Sequence, residues 1–333
     1  MKRQYVRELA EGSRVDTLFA LCAKEMRATQ RGEAFLALEL GDRSGRIPAV
    51  MFRPPADAAA IPTGTVARVT GTVTSYRGNK RVSVEVITPV ATYDPADLME
   101  ASKRDRGETL AGFKAIAATV RDASLRRVLK AVFGDAGFFE RFERCPGART
   151  HHHAYLGGLI EHTLAVATVC RALEALYDRV DGDLLVTAAL LHDVGKVDEL
   201  TYGTTVGYTD EGRLLGHVVL GERRVREAVR RTTRGVPEDV LTRLSHALLS
   251  HHGELEWGSP RRPSTIEALL LHHADNLDAK ADGFLSFTGG AMLVEERWTD
   301  AENLFRRPLW APAAASEQRP VPAVEDAHLL VRT

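Results

Sequence analysis

The run Leu190-Leu191-His192-Asp193-Val194-Gly195-Lys196 sets an imidazole beside a carboxylate inside an otherwise apolar helical stretch. Burying such a pair is costly unless something charged lies against it. Any fold this chain adopts must therefore bring counter-charge to that point, and a divalent metal is the obvious candidate. Ligands for one are at hand, because eleven of the 12 histidines fall between His151 and His273.

At 333 residues the chain is long enough for about two domains, each with its own core. Hydrophobic content of 44% and charged content of 27% describe an ordinary globular protein. The net charge of -1 means that attraction for a polyanion must come from local clusters rather than from a global field. The N-terminus lacks the apolar core and cleavage site of a secretory signal, and no apolar run approaches a membrane span. Cys22, Cys145 and Cys170 are far apart and odd in number, which argues against a disulfide framework or a cysteine zinc site and makes a reducing cytoplasm the expected location.

Residues 14 to 90 read as five short strands, enough for a small barrel. Residues 34 to 52 form a hairpin: Ala34 to Leu40 nearly alternates, Gly41-Asp42-Arg43-Ser44-Gly45 turns, and Ile47, Ala49 and Met51 continue the period. Residues 65 to 74 and 81 to 87 form a second pair around Tyr76-Arg77-Gly78-Asn79. Phe35 and Phe52 fit the core of such a barrel, whereas Tyr76 in a polar turn is the better exposed stacking surface. A polar connection over 91 to 107, with a helical turn near Leu98, leads to helical periodicity up to about 306. A Pro/Ala-rich tail follows over 311 to 333.

Within the helical part, Leu159, Ile160, Thr163, Val166, Ala167 and Cys170 define a buried stripe with His162 at its edge. His192 and Asp193 sit on a second apolar helix, read as Leu184 to Val194 and ended by Gly195, with Lys196 one turn beyond His192. Asp275 lies on a third, entered through Pro263-Ser264-Thr265-Ile266-Glu267, where Ser264 and Glu267 have capping-box spacing. A carboxylate in that apolar setting needs a counter-charge; Asp278 reads as a solvated surface residue, and His246 as structural. Neutral imidazoles and hard oxygens together suit Mn, Fe, Co, Ni or Zn better than Ca.

His162, His192-Asp193 and Asp275, in that order and on apolar helices, resemble the HD phosphohydrolase superfamily. Leu38-Glu39-Leu40-Gly41-Asp42-Arg43-Ser44-Gly45-Arg46-Ile47 resembles an OB-fold nucleic-acid-binding domain. His152-His153-Ala154-Tyr155-Leu156-Gly157-Gly158-Leu159-Ile160-Glu161-His162-Thr163 is similar to the helix opening of YhaM-type 3′-to-5′ exoribonucleases, which place an OB-fold before an HD domain. The expected architecture is thus multidomain α and β: an OB-like barrel over 1–90, a linker over 91–107, an all-α HD bundle over 108–310, and the tail.

The resemblance implies a metal-dependent exoribonuclease that releases nucleoside 5′-monophosphates from single-stranded RNA, with single-stranded DNA as a further substrate. One or two divalent ions, manganese foremost and Co, Fe, Ni, Zn or Mg as others, are expected on His162, His192, Asp193, His217, His251, His252 and Asp275. Asp193 bridges and acts in catalysis. Lys196 offsets phosphate charge, although it also suits a helix C-terminus. Nucleic acid is expected at Arg46, Tyr76, Arg77, Lys80, Arg81, His152 and His153, while His151 has no clear role. His272, His273 and Glu161 are unranked candidates for supporting the ligands. The family also allows a homo-oligomer. The alternative function is hydrolysis of small nucleotides with a regulatory barrel; the absence of a Gly-Tyr-Pro signature speaks against the cyclic-di-GMP group.

Overall fold

The computed structural model describes residues 2–29, 32–76, 79–99, 102, 104–149, 153–204, 206–289, 293–295, 297–301 and 303–311. Arg77, His151, His152 and the tail from 312 onward lie outside the described residues. The chain divides into two compact units, Met1–Ala279 and Lys280–Thr333.

Strands β1 (Arg14–Ala28), β2 (Ala34–Asp42), β3 (Gly45–Phe52), β4 (Val66–Tyr76) and β5 (Asn79–Pro89) close into a barrel in the order β1-β2-β3-β5-β4. A one-turn helix, α1 (Ala56–Ala60), joins β3 to β4. Alternation decides what faces inward: Leu36, Leu38 and Leu40 on β2, Ile47, Ala49 and Met51 on β3, and Val82 and Val84 on β5 share one buried core. All pairings are antiparallel except β3 with β5, where Ala49 lies beside Val82 in parallel. The starts of β3 and β5 therefore sit at the same end of the barrel.

Asp42 and Ser44, read from sequence as turn residues, do more than turn the chain. The Asp42 carboxylate accepts from the backbone of Ser44 (2.8 Å) and Val6 (2.8 Å), and pairs with the buried Lys2 ammonium at 2.9 Å. The pairing compensates two charges removed from water. The linker is also packed down: Leu98 is buried against Leu18 and Val66.

The helices of the first unit are α2 (Arg106–Ala118), α3 (Ala123–Phe133), α4 (Ala136–Arg144), α5 (Gly158–Glu174), α6 (Gly182–Leu191), α7 (Lys196–Glu199), α8 (Asp210–Arg230), α9 (Glu238–Ser250) and the start of α10 (Ile266–Thr288). Aspartates 105, 122, 135 and 181 cap α2, α3, α4 and α6 through their side chains. Every residue of α6 except Asp183 is buried, so it forms the axis around which the others pack.

Three local expectations are revised. Helix α6 ends at Leu191, and His192 to Gly195 form tight turns, with Val194 N bonding Leu191 O and Lys196 N bonding Asp193 O. The helix at Asp275 is capped by the Thr265 hydroxyl, while Glu267 reaches across to Asp181 N. Between α7 and α8 the chain forms a two-stranded ribbon, β6 (Leu200–Tyr202) with β7 (Val206–Tyr208), where helical periodicity alone was expected. The aromatic and β-branched residues around Gly203 and Gly207 account for it. The ribbon meets the barrel side of the unit: Thr204 Oγ1 donates to Gly64 O at 2.6 Å. In the second unit, β8 (Leu293–Glu295) pairs with β9 (Trp298–Thr299), and Phe284 packs against Phe305.

Candidate metal centre

Five imidazoles converge from four parts of the fold: His162 on α5, His192 at the end of α6, His217 on α8, and His251 and His252 just after α9. In each, Nδ1 is engaged on the side away from the centre. His192 Nδ1 meets Ala189 O (2.8 Å), His251 Nδ1 meets Leu248 O (2.7 Å), and His252 Nδ1 meets Trp257 O (2.9 Å). His162 Nδ1 meets Asp278 Oδ2 (2.7 Å), and His217 Nδ1 meets Glu199 (3.0 Å). A ring that donates from Nδ1 presents a lone pair at Nε2. All five Nε2 atoms are therefore turned to the interior, where they could hold a metal ion.

Asp193 lies between them and faces both ways. Its Oδ2 is 3.4 Å from His162 Nε2 and 3.4 Å from His192 Nε2, and its Oδ1 is 3.4 Å from His217 Nε2 and 3.7 Å from His251 Nε2. Asp275 Oδ1 joins the first group at 3.1 Å from His162 Nε2. His162 and His192 stand Nε2 to Nε2 at 3.2 Å, as do His217 and His252. Two atoms bonded to one ion at about 2.1 Å stand about 3.0 to 3.4 Å apart at octahedral and tetrahedral angles, which fits every one of these spacings but the wider 3.7 Å from His251. Buried His251 Nε2 has no hydrogen-bond partner among the described residues, which is the mark of a donor waiting for a ligand.

The charge balance agrees. Burial works against ionisation of Asp193, but Lys196, His192 and His217 hold its carboxyl well below the usual range. Asp275 is likewise lowered against its burial by His162 and His192. Burial, with His252 and His192 alongside, pushes His251 well down, so it stands ready as a neutral ligand. His162 goes the other way: burial lowers it, but hydrogen bonds to Asp275 and Asp278 prevail and lift it to about 9. The carboxylates of Asp193, Asp275 and Asp278 thus draw positive charge to this point, from Lys196 and from His162. The donors and charges fit a divalent ion.

The Lys196 side chain is 11% exposed with Nζ 2.6 Å from Asp193 Oδ2, and Asp193 raises its pKa against the effect of desolvation. The backbone brings these parts together by close approach: a Cβ on Gly195 would lie 2.0 Å from His217 O. Gly216, at φ +73°, breaks α8 just before His217 and lets that ring turn inward.

Other expectations sort out in the supporting layer. Asp278 is no solvated surface residue, because its Oδ2 meets both His162 Nδ1 and His153 Nε2 (3.0 Å). His153, expected to touch nucleic acid, is buried with both ring nitrogens engaged, its Nδ1 3.0 Å from the Tyr155 hydroxyl. Glu161 accepts from Tyr155 (2.7 Å), and His272 holds the carbonyl of His251 (2.8 Å). His246 accepts from Ser264 N, outside the centre. Glu199, which orients His217, was missed; its place seven residues after His192 in a short helix gave no periodic signal.

On the barrel, Tyr76 is exposed and the Arg81 guanidinium lies 4.5 Å from its ring centre. Arg46 pairs with Glu39 at 3.1 Å, and Lys80 Nζ donates to Leu9 O. These residues gather where β3 and β5 begin. Phe35 and Phe52 are not in the core: they pair across β2 and β3 on the outer face, rings 5.8 Å apart, and Phe52 is 49% exposed.

Residues 159–280 match the family model described as the HD domain, and residues 22–90 the one described as an OB-fold nucleic acid binding domain. A protein of Bacillus velezensis named 3′-5′ exoribonuclease YhaM is 31% identical over 273 residues, covering 81% of this chain and 86% of its own length. The protein of that name from Bacillus subtilis is 30% identical over 275 residues, with the same coverage of both chains. The one from Listeria welshimeri is 31% identical over 267 residues, covering 79% of this chain and 84% of its own. With both domains matched in order and about 30% identity over four-fifths of its length, the chain belongs to the YhaM family.

Proposed function

We propose that this chain is a metal-dependent exoribonuclease that removes nucleoside 5′-monophosphates from the 3′ end of single-stranded RNA, and also accepts single-stranded DNA. The observation that carries the reading is the set of five imidazoles with Nδ1 tied outward and Nε2 turned toward a two-sided carboxylate, Asp193. His162, His192, Asp193 and Asp275 would hold one divalent ion, and His217, His251 and His252, with Asp193 between the two groups, would hold a second. Manganese suits the mixed nitrogen and oxygen donors. Ions bound there supply Lewis acidity toward a phosphoryl oxygen and lower the pKa of water.

The residues of the chain do the rest. Asp193 fixes the spacing of the two halves, since each carboxylate oxygen serves one of them. Lys196 keeps Asp193 ionised and offsets negative charge that grows on the phosphate. The barrel, taken as residues 1–90, grips the strand by stacking on Phe35, Phe52 and Tyr76 and by contacts from Arg46, Lys80 and Arg81. Residues 91–107 link it to a hydrolytic domain over 108–310. The three free cysteines suit a reducing cytoplasm.

The test incubates the protein and its Asp193→Asn variant with Mn2+ and 3′- or 5′-labelled single-stranded RNA and DNA. A ladder that shortens only from the 3′ end, and that Asp193→Asn abolishes, is expected. Untouched oligomers alongside cleaved mono- or dinucleotides would replace this reading with a small-nucleotide phosphohydrolase.

A further inference from the structure

We propose that Asp278 is a positioning residue that fixes the His162 ring, and that His153 holds Asp278 in place for it. The inference rests on the metal-centre reading given above. Asp275 and Asp278 are three residues apart on α10, so one helical face delivers both a ligand and the brace for its neighbour.

The five rings are not anchored alike. His192, His251 and His252 bond main-chain carbonyls, whose directions the backbone already fixes. His162 and His217 instead rely on side-chain carboxylates, of Asp278 and Glu199, which can rotate unless something holds them. A single oxygen, Asp278 Oδ2, meets His162 Nδ1 at 2.7 Å and His153 Nε2 at 3.0 Å. His153 is braced in turn by the Tyr155 hydroxyl at 3.0 Å, Tyr155 donates to Glu161, and the Ser102 hydroxyl also bonds Glu161.

His153 holds this place in an unfavourable backbone state. Its φ is +51°, a region that side chains other than glycine rarely enter. Gly147 N, bonded to His153 O at 2.8 Å, keeps it there, and a Cβ on Gly158 would lie 2.0 Å from the same oxygen. Strain of this kind persists where the surroundings impose it, and here it delivers a ring nitrogen to Asp278.

His153, His162 and Asp278 could be read as a further cation site, since their donor atoms lie within 4.8 Å of one another. The 2.7 Å separation argues for a hydrogen bond: two ligands on one ion at about 2.1 Å stand at least about 3.0 Å apart at right angles. The cluster acts on the centre through His162.

The experiment titrates Mn2+ into the full chain by electron paramagnetic resonance, with thermal melting as a check on folding. His252→Ala identifies the ion held on the other side of Asp193. Asp278→Ala is expected to weaken only the ion at His162, by about 10- to 100-fold, leaving the His252-dependent ion unchanged. Asp278→Asn, which keeps the shape and an acceptor oxygen, should recover part of that affinity, and it decides the matter should the alanine variant not fold. His153→Gln should weaken the same ion by less. Equal weakening of both ions, or of neither, in a folded Asp278 variant overturns the proposal. A parent protein that binds no Mn2+ overturns the metal-centre reading beneath it.

Discussion

Replacing Gly195 by alanine probes the closest backbone approach at the centre. Gly195 has φ −67°, an ordinary helical value, so alanine meets no conformational penalty of its own there. The obstacle is space: the added Cβ would lie 2.0 Å from His217 O and 2.5 Å from Gly221 N, both main-chain atoms of α8. Ordinary contact begins at 3.4 Å, so α8 and the turn before α7 must part by about 1.4 Å. Overpacking against backbone belongs at the upper end of the usual range, about 2–3 kcal/mol. For a chain of 333 residues that lowers the melting temperature by roughly 3–4 °C. The same displacement carries His217 Nε2 away from Asp193 and His252, so Gly195→Ala should also lose the ion on that side. Thermal melting and Mn2+ titration read both effects. A variant that melts within about 2 °C of the parent and keeps its ions at parental affinity would refute the argument from close approach.

Phe52→Ala, and separately Phe35→Ala, should weaken single-stranded RNA binding by about 1–3 kcal/mol, roughly 5- to 150-fold in Kd, with little change in melting because the Phe52 ring is already half in water. Fluorescence anisotropy with a labelled oligomer checks this, and an unchanged Kd for both variants removes the stacking surface from the proposal. Glu143→Gln tests an acid-sensitive brace on α4. The hydrogen bond from Arg106 lowers the Glu143 carboxyl below its ordinary 4.5, with burial opposing. A depressed folded-state pKa contributes stability that is complete above the unfolded value and is lost as pH falls through the folded one. Arg106 is 75% exposed, so screening limits the contribution to roughly 1 kcal/mol. The melting gap between parent and Glu143→Gln should therefore be largest at neutral pH and close below about pH 4; a gap that widens in acid contradicts the assignment.

Much of the centre was legible because it depends on residue chemistry in regular elements. The stripe on α5, the apolar run that ends in His192-Asp193 and the α10 carboxylate were each visible, and His162, His192, Asp193 and Asp275 do converge. The barrel was legible for the same reason, since alternation over Leu36 to Leu40 and Ile47 to Met51 sets the inner face. That alternation also puts Phe35 and Phe52 outside; a general preference for buried phenylalanine outweighed the local period and gave the wrong face. The supporting layer was the least legible. Asp278 and Glu199 act through hydrogen bonds whose partners lie 116 and 18 residues away, and neither separation leaves a periodic trace. The strained turn at His153 and the ribbon after α7 depend on backbone contacts that close only after the helices have packed.

The ribbon of β6 and β7 stands in the chain between Asp193 and His217 and is pinned to the barrel side through Thr204 and Gly64. On the proposed function, this turns the protein into a gauge. The gap between where a strand is gripped and where it is cut becomes a set number of nucleotides, because barrel and helices fall in one compact unit and Leu98 packs the connection down onto the barrel. A polymer being nibbled down then slips from its grip while a short stump is still uncut, and the length of that leftover measures the gap.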